Sequence, residues 1–156
     1  MRRPVKKRPQ VEPEYRYQSQ KLAKFINYIM LDGKKHTARR VAYMALEDIK
    51  KEAGVEDPME VFYAAVHNAS PVMEVRSRRV GGASYQVPRE VRPERRQTLA
   101  MKWIIAAARS RKGSPMYKNL SSELIQASNN EGEAVTKKEN THKMAEANKA
   151  FAHFAW

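Results

Sequence analysis

The apolar residues of this chain recur at helical spacing over most of its length, and the spacing changes to strict alternation in one stretch only. The first stripe falls at i, i+3, i+4, i+7 and i+8, and it consists of Leu22, Phe25, Ile26, Ile29 and Met30. Comparable stripes predict five more helices. Residues 72–89 alternate around Gly81-Gly82, which is typical of a β-hairpin with a two-glycine turn. The pattern predicts a mainly α, six-helix single domain with a protruding two-stranded β-hairpin.

Capping residues predict where several helices begin. Ser19 is a plausible N-cap of the first helix. Asp57 is a predicted N-cap followed by Pro58 at the first helical position and Glu60 three residues after the cap. A second capping-box pattern, Thr136 with Glu139, predicts the start of the last helix. The inward stripe of that last helix is predicted to be Met144, Ala147, Phe151 and Phe154.

The first 18 residues have a different composition from the rest and are predicted to form a basic, disordered N-terminal arm, with the helical domain at 19–156. Three prolines up to Pro13 oppose a helix, and little apolar area is available for burial. The arm is expected to become ordered on a polyanionic partner through its cations, which are Arg2, Arg3, Lys6, Lys7 and Arg8.

The net charge of +13 is distributed unevenly along the chain. Residues 1–40 and residues 74–118 each carry twelve basic and three acidic residues, whereas residues 41–73 carry two basic and six acidic ones. A fold that brings the two basic blocks together would have one basic face and an acidic or neutral back. This distribution favours a nucleic-acid partner over a uniformly basic soluble surface.

Within the basic blocks, several groups of side chains are candidates for contact with nucleic-acid phosphates. Arginine suits this role because its planar guanidinium matches phosphate oxygens. The candidates lie in the loop after Gly33, on the hairpin, and before and within the fourth helix. The last group lies in the loop at the end of the fourth helix, which has no acid of its own. The candidates are Lys34, Lys35, Arg76, Arg78, Arg79, Arg92, Arg95, Arg96, Arg109, Arg111 and Lys112. Tyr85, between Arg79 and Arg89, is a candidate for stacking on an unpaired base, with cross-strand packing as the alternative.

Motifs for catalysis, metals and membranes are missing from the sequence. There are no cysteines, the four histidines are scattered, and Gly33-Lys34-Lys35-His36 lacks both the first glycine and the hydroxyl residue of a phosphate-binding loop. We therefore expect no cofactor, no metal, no membrane span and no enzymatic activity. The alternatives are a dimeric DNA-binding protein with a β-ribbon in the major groove, and a basic RNA-modifying enzyme.

Three segments resemble the family of the seventh small-subunit ribosomal protein of bacteria. The first runs from Met30 to Lys35, the second from Val75 to Pro88 around Gly81-Gly82, and the third from His142 to His153. The resemblance covers the chain from about Lys21 to its end. Departures from the family pattern are Glu133 in place of a common glycine, Asn140 in place of a common acid, and the ending Phe154-Ala155-Trp156 in place of Tyr-Arg-Trp.

The resemblance implies a structural protein of the cytoplasmic ribosome that binds the 3′ major domain of small-subunit ribosomal RNA and helps nucleate assembly of the head. It also implies a position near the exit-site transfer RNA and messenger RNA, and a C-terminal end that approaches the eleventh small-subunit protein. The residues it places near the exit site are Arg78, Arg79, Gly81, Gly82, Tyr85 and Lys143. Outside the ribosome the protein is expected to be a monomer.

Overall fold

The structure, a computed structural model, describes residues 11–154. The predicted arm cations from Arg2 to Arg8 lie outside the described residues. The elements follow the order α1 (Gln20–Ile29), α2 (Lys35–Glu52), α3 (Pro58–Asn68), β1 (Met73–Val80), β2 (Ala83–Glu90), α4 (Pro93–Ser110), α5 (Met116–Ser128), α6 (Glu133–Ala147) and a C-terminal 3-10 helix (Lys149–Phe154). The predicted mainly helical fold with one hairpin is confirmed.

The core forms around α5, which packs against α2, α3 and α4. Leu120 and Leu124 of α5 are fully buried, and the rings of Phe25 and Phe62 meet edge to face with centroids 5.1 Å apart. Full burial of such a side chain contributes about 1.5–3 kcal/mol. The helical body therefore has a continuous apolar core that contains no residue of the hairpin.

Two predicted helix starts are confirmed by the hydrogen bonds at their N-caps. The Asp57 carboxylate accepts from the backbone N–H of Met59 at 2.8 Å, and Pro58 occupies the first turn of α3. The Ser19 hydroxyl accepts from the backbone N–H of Leu22 at 3.3 Å. Both caps satisfy N–H groups that the helix itself leaves without an acceptor.

The predicted start of the last helix at Thr136 is wrong. α6 begins at Glu133, directly after Gly132, so the Thr136 hydroxyl lies inside the helix and donates to the Gly132 carbonyl at 3.0 Å. The N-terminus is capped instead by Glu123 of α5, whose Oε1 accepts from the Ala134 N–H at 3.0 Å. Gly132 has a φ of 91°, and a Cβ there would lie 2.9 Å from that same oxygen. The cap comes from a neighbouring helix, which a local capping pattern cannot reveal.

The predicted continuation of the last helix to Phe154 is also wrong. Asn148 ends α6 by donating from its side-chain amide to the Met144 carbonyl at 2.8 Å, and the 3-10 helix follows. Met144 is half exposed rather than buried. The change of helix type turns Phe151 and Phe154 towards the hairpin instead of the core.

The hairpin has the predicted two-residue turn, with φ of 57° at Gly81 and 90° at Gly82 and the pair Val80–Ala83 closing it. Positive φ at both positions is the geometry that glycine adopts without steric cost. The outer half of the hairpin is not wholly free, because Tyr85 packs against the C-terminal 3-10 helix. Only residues 79–84 extend beyond that contact.

The last residues of the predicted arm contact the helical body. Glu14 is buried, and its carboxylate accepts from the backbone N–H groups of Arg16 at 2.9 Å and Tyr17 at 3.1 Å and from the Tyr43 hydroxyl. Residues 14–18 are therefore held against α2 ahead of the first helix.

Candidate nucleic-acid interface

The loop between α1 and α2 presents two lysines at the start of a long helix. Asp32 and Gly33 have φ of 51° and 72°, and this turn leaves Lys34 and Lys35 exposed. No side chain caps α2, and its first turn contains no acid. The free N–H groups and positive dipole end of an 18-residue helix attract anions, and the two lysines add full charges. This corner is therefore suited to a phosphate.

Arg109 lies beside this loop. Its Nη2 donates to the Ile29 carbonyl at the end of α1 at 2.9 Å, so the guanidinium ties α4 to α1. Arg109 and Lys34 line one groove, in which Leu31 is 61% exposed and Met116 forms part of the wall. The structure thus brings together two of the predicted contacts that are far apart in sequence.

Arg111 is directed into the protein. Its Nη2 donates to Glu123 Oε2 at 2.5 Å and to Gln126 Oε1 at 2.6 Å, and its Nη1 donates to the Ser122 hydroxyl at 2.9 Å. The Glu123 side chain is completely buried. The expectation that no acid neutralises this loop is therefore wrong for Arg111. Its neighbour Lys112 is exposed and makes no ion pair with any of the residues that the structure describes.

At the base of the hairpin, arginines fasten the strands to α4. Glu74 is buried and accepts from Arg76 Nε at 2.9 Å and from Arg95 Nε at 2.8 Å. Arg96 donates to the Val91 carbonyl at 2.7 Å and to Glu90 at 3.0 Å. Each guanidinium has five N–H groups, so these contacts leave donors for a phosphate. The positive charges of Arg76, Arg95 and Arg96, however, are already partly compensated by Glu74 and Glu90.

Further out on the hairpin, Arg78 and Tyr85 form a cross-strand pair that meets the C-terminal 3-10 helix. Arg78 Nη1 donates to the Phe154 carbonyl at 3.3 Å, and the Tyr85 ring lies 5.2 Å from the rings of Phe151 and Phe154. The ring face predicted for base stacking thus packs against other aromatic rings. Arg79 is exposed beyond this cluster.

The remaining predicted residues are exposed. Arg92 precedes Pro93 at the start of α4, and Lys143 lies on the outer face of α6. Neither makes an ion pair with a residue between 11 and 154.

A second set of basic side chains was missed by sequence reasoning. Lys21, His67, Lys138 and His142 come from three helices and line one groove of about 630 Å³ together with Arg96. His142 Nε2 accepts from the Val72 N–H at 3.0 Å, and partial burial, assisted by the charge of Lys138, lowers the pKa of His142 below its ordinary value. These residues come from distant parts of the sequence, so only the fold brings them together.

Within residues 11–154, no group of three or more metal-ligating side chains is close enough to hold a metal ion. In the same range, every helix is too short or too polar to cross a bilayer.

Comparisons with known proteins identify the family. The family model for ribosomal protein S7p/S5e matches residues 1–149. Small ribosomal subunit protein uS7 from Moorella thermoacetica is 59% identical over 140 residues, which is 90% of this chain and 89% of the relative. The uS7 protein from Rhodopirellula baltica is 56% identical over 157 aligned residues, covering all of both chains. The uS7 protein from Caldanaerobacter subterraneus is 55% identical over 153 residues, which is 98% of this chain and 97% of the relative.

These matches confirm the family suggested by the three sequence segments. They also confirm the prediction of a structural ribosomal protein rather than an enzyme. The chain belongs to the family of ribosomal protein S7p/S5e of the small ribosomal subunit.

Proposed function

We propose that this small-subunit ribosomal protein binds the 3′ major domain of the ribosomal RNA, helps nucleate assembly of the head, and lies near transfer RNA and messenger RNA at the exit site. It acts in the cytoplasmic ribosome and is a monomer outside it. The eleventh small-subunit protein is its proposed neighbour at the C-terminal end.

The observation that carries the RNA-binding proposal is a set of exposed cations that none of the described carboxylates neutralises. It comprises Lys34, Lys35, Arg79, Arg92 and Lys112. A cation that has no ion pair in the free protein can bind an RNA phosphate without first breaking such a pair. Its binding releases counterions from the RNA. The predicted contacts of Arg2, Arg3, Lys6, Lys7 and Arg8 would add to this set.

The exit-site proposal concerns the outer hairpin and α6, with Arg78, Arg79, Gly81, Gly82, Tyr85 and Lys143 as its residues. The aromatic cluster of Tyr85, Phe151 and Phe154 supports it, because the cluster fixes the hairpin against the C-terminal 3-10 helix. A hairpin fixed in this way can hold residues 79–84 at a constant position beside a transfer RNA.

The primary experiment compares RNA and DNA as partners. The purified chain is titrated into a transcript of the 3′ major domain and into duplex DNA of equal length, and its mass in solution is measured. We expect tight binding to the transcript, weak binding to the duplex, and a monomer. Equal affinities, or a dimer that prefers the duplex, would contradict the proposed function.

A separate experiment tests the exit-site proposal. Residues 79–84 are replaced by a two-residue turn, which leaves Arg78 and Tyr85 in place, and small subunits are assembled with this variant. Assembly and RNA affinity should be nearly unchanged, since the deletion removes only one arginine, whereas retention of exit-site transfer RNA should fall. Impaired assembly with normal transfer RNA retention would contradict the proposal and would place the outer hairpin in the anchoring surface.

A further inference from the structure

We propose that the groove lined by Lys21, Tyr63, Arg96, Gln97, Lys138 and His142, called here the α1–α6 groove, receives an unpaired nucleotide of the ribosomal RNA. This inference rests on the proposed RNA-binding function and adds a specific pocket to it. The groove lies between α1, α3, α4 and α6, directly beside the residue that precedes β1.

The size and the lining of the groove suit an unpaired base. Its volume of about 630 Å³ is within the roughly 300–1,000 Å³ typical of sites for small molecules. Val66, Val72 and Pro93 provide apolar walls, and the Tyr63 ring is 40% exposed. Unpaired bases of RNA are commonly held against such aromatic and apolar surfaces.

The charge of the groove favours an anion. Lys21, Arg96 and Lys138 line it together with two histidines, and no aspartate or glutamate is among its lining residues. The groove near the predicted N-terminal arm differs in this respect, because Glu12 and Glu14 line it beside Lys35 and Arg39. Of these two grooves, the α1–α6 groove is therefore the one whose lining contains no carboxylate; Glu90 pairs with Arg96 at 3.0 Å but is not a lining residue.

The hydrogen-bonding groups of the α1–α6 groove are mostly donors. Because His142 Nε2 accepts from the Val72 N–H, a neutral His142 carries its proton on Nδ1 and can donate it. Lys138 Nζ already donates to the Asn68 carbonyl at 2.7 Å, which fixes its position, and two of its protons remain. Lys21 Nζ lies 5.2 Å from the centre of the Tyr63 ring. A nucleotide offers the complementary acceptors on its phosphate and base.

The decisive experiment uses the absence of cysteine from the chain. Gln97 lines the groove, whereas Ala106 is exposed nine residues later on the opposite face of α4. Gln97→Cys and Ala106→Cys are each modified with a short photo-crosslinker and bound to a transcript of the 3′ major domain. The probe at position 97 should crosslink to one discrete nucleotide that the probe at position 106 does not reach.

If Gln97→Cys binds the transcript normally but gives no crosslink, or crosslinks along a continuous duplex, the pocket is disproved while RNA binding itself stands. If neither variant nor the unmodified chain binds the transcript, the proposed function has failed instead. The two failures are therefore distinguishable.

A second pair of variants tests the phosphate contact without a probe. Lys21 and Lys24 are both exposed on α1, but only Lys21 lines the groove. Lys21→Gln should reduce the steepness of log affinity against log salt by the amount that corresponds to about one phosphate contact. Lys24→Gln should leave this slope unchanged. Equal slopes for the two variants would contradict a phosphate held at Lys21.

Discussion

The outer end of the hairpin and the loop after α4 each carry an arginine that was predicted to contact RNA, Arg79 and Arg111, but the structure uses the two side chains differently. Arg79 projects from the hairpin without an ion pair among the described residues, whereas Arg111 is joined to the buried Glu123. Arginines of the same basic block, residues 74–118, can thus serve either the fold or the partner. The deciding factor is whether the fold brings a carboxylate to the guanidinium.

The largest expected effect is on stability, at the α4–α5 loop. Arg111→Gln leaves the buried Glu123 without its cation, and breaking such a pair typically costs about 3–5 kcal/mol. We expect a loss near the lower limit, because Arg111 is partly exposed and Glu123 keeps its bond to the Ala134 N–H. Denaturant unfolding monitored by circular dichroism measures the free energy of unfolding.

Lys112→Gln is the matched control for that variant, since Lys112 is adjacent in sequence and exposed. Its free energy of unfolding should remain within about 0.5 kcal/mol of the parent. If both variants have the same free energy of unfolding, the Arg111–Glu123 pair does not stabilise the loop. The structural role assigned to Arg111 would then be contradicted.

A smaller and more local effect is expected at the turn of the hairpin. Replacing Gly81 and Gly82 by valine forces β-branched residues into positive φ, at a cost of about 1–2 kcal/mol for each residue. The turn should loosen while the helices stay folded, because the main core cluster contains no residue of the hairpin. Amide hydrogen exchange of residues 79–84 should accelerate, with helical circular dichroism unchanged.

Ala83→Val is the control for the turn, because Ala83 is exposed in β2 without a positive φ. Its exchange should match that of the parent. Collapse of the helical signal in the glycine double variant would instead show that the hairpin is required by the core.

The smallest effect is expected from Arg79→Gln. Stability should not change, and the slope of log RNA affinity against log salt should fall by about one contact if Arg79 touches a phosphate. Folded Arg111→Gln should retain the parent slope, since its guanidinium is already neutralised. If Arg111→Gln lowered the slope and Arg79→Gln did not, Arg111 would be the residue that contacts a phosphate, and the roles assigned to the two regions would be reversed.

Sequence reasoning succeeded where neighbouring residues decide the structure. The Asp57 cap and the Gly81-Gly82 turn depend on bonds and dihedral angles within a few residues. It failed where the partner is distant in sequence, as for Arg111 with Glu123, 12 residues away, and Arg95 with Glu74, 21 residues away. The stop of α6 at Asn148 was missed because Phe151 and Phe154 fit a helical stripe but pack on Tyr85 instead.

The central claim is that exposed cations without carboxylate partners among the described residues bind the ribosomal RNA. The most direct measurement is the salt dependence of binding to a 3′ major domain transcript, for the parent chain and for Lys34→Gln/Lys35→Gln. The parent should lose affinity steeply with salt, and the double variant should show a slope lower by about two contacts with unchanged stability. A flat dependence for the parent, or the parent slope in the double variant, would contradict the account.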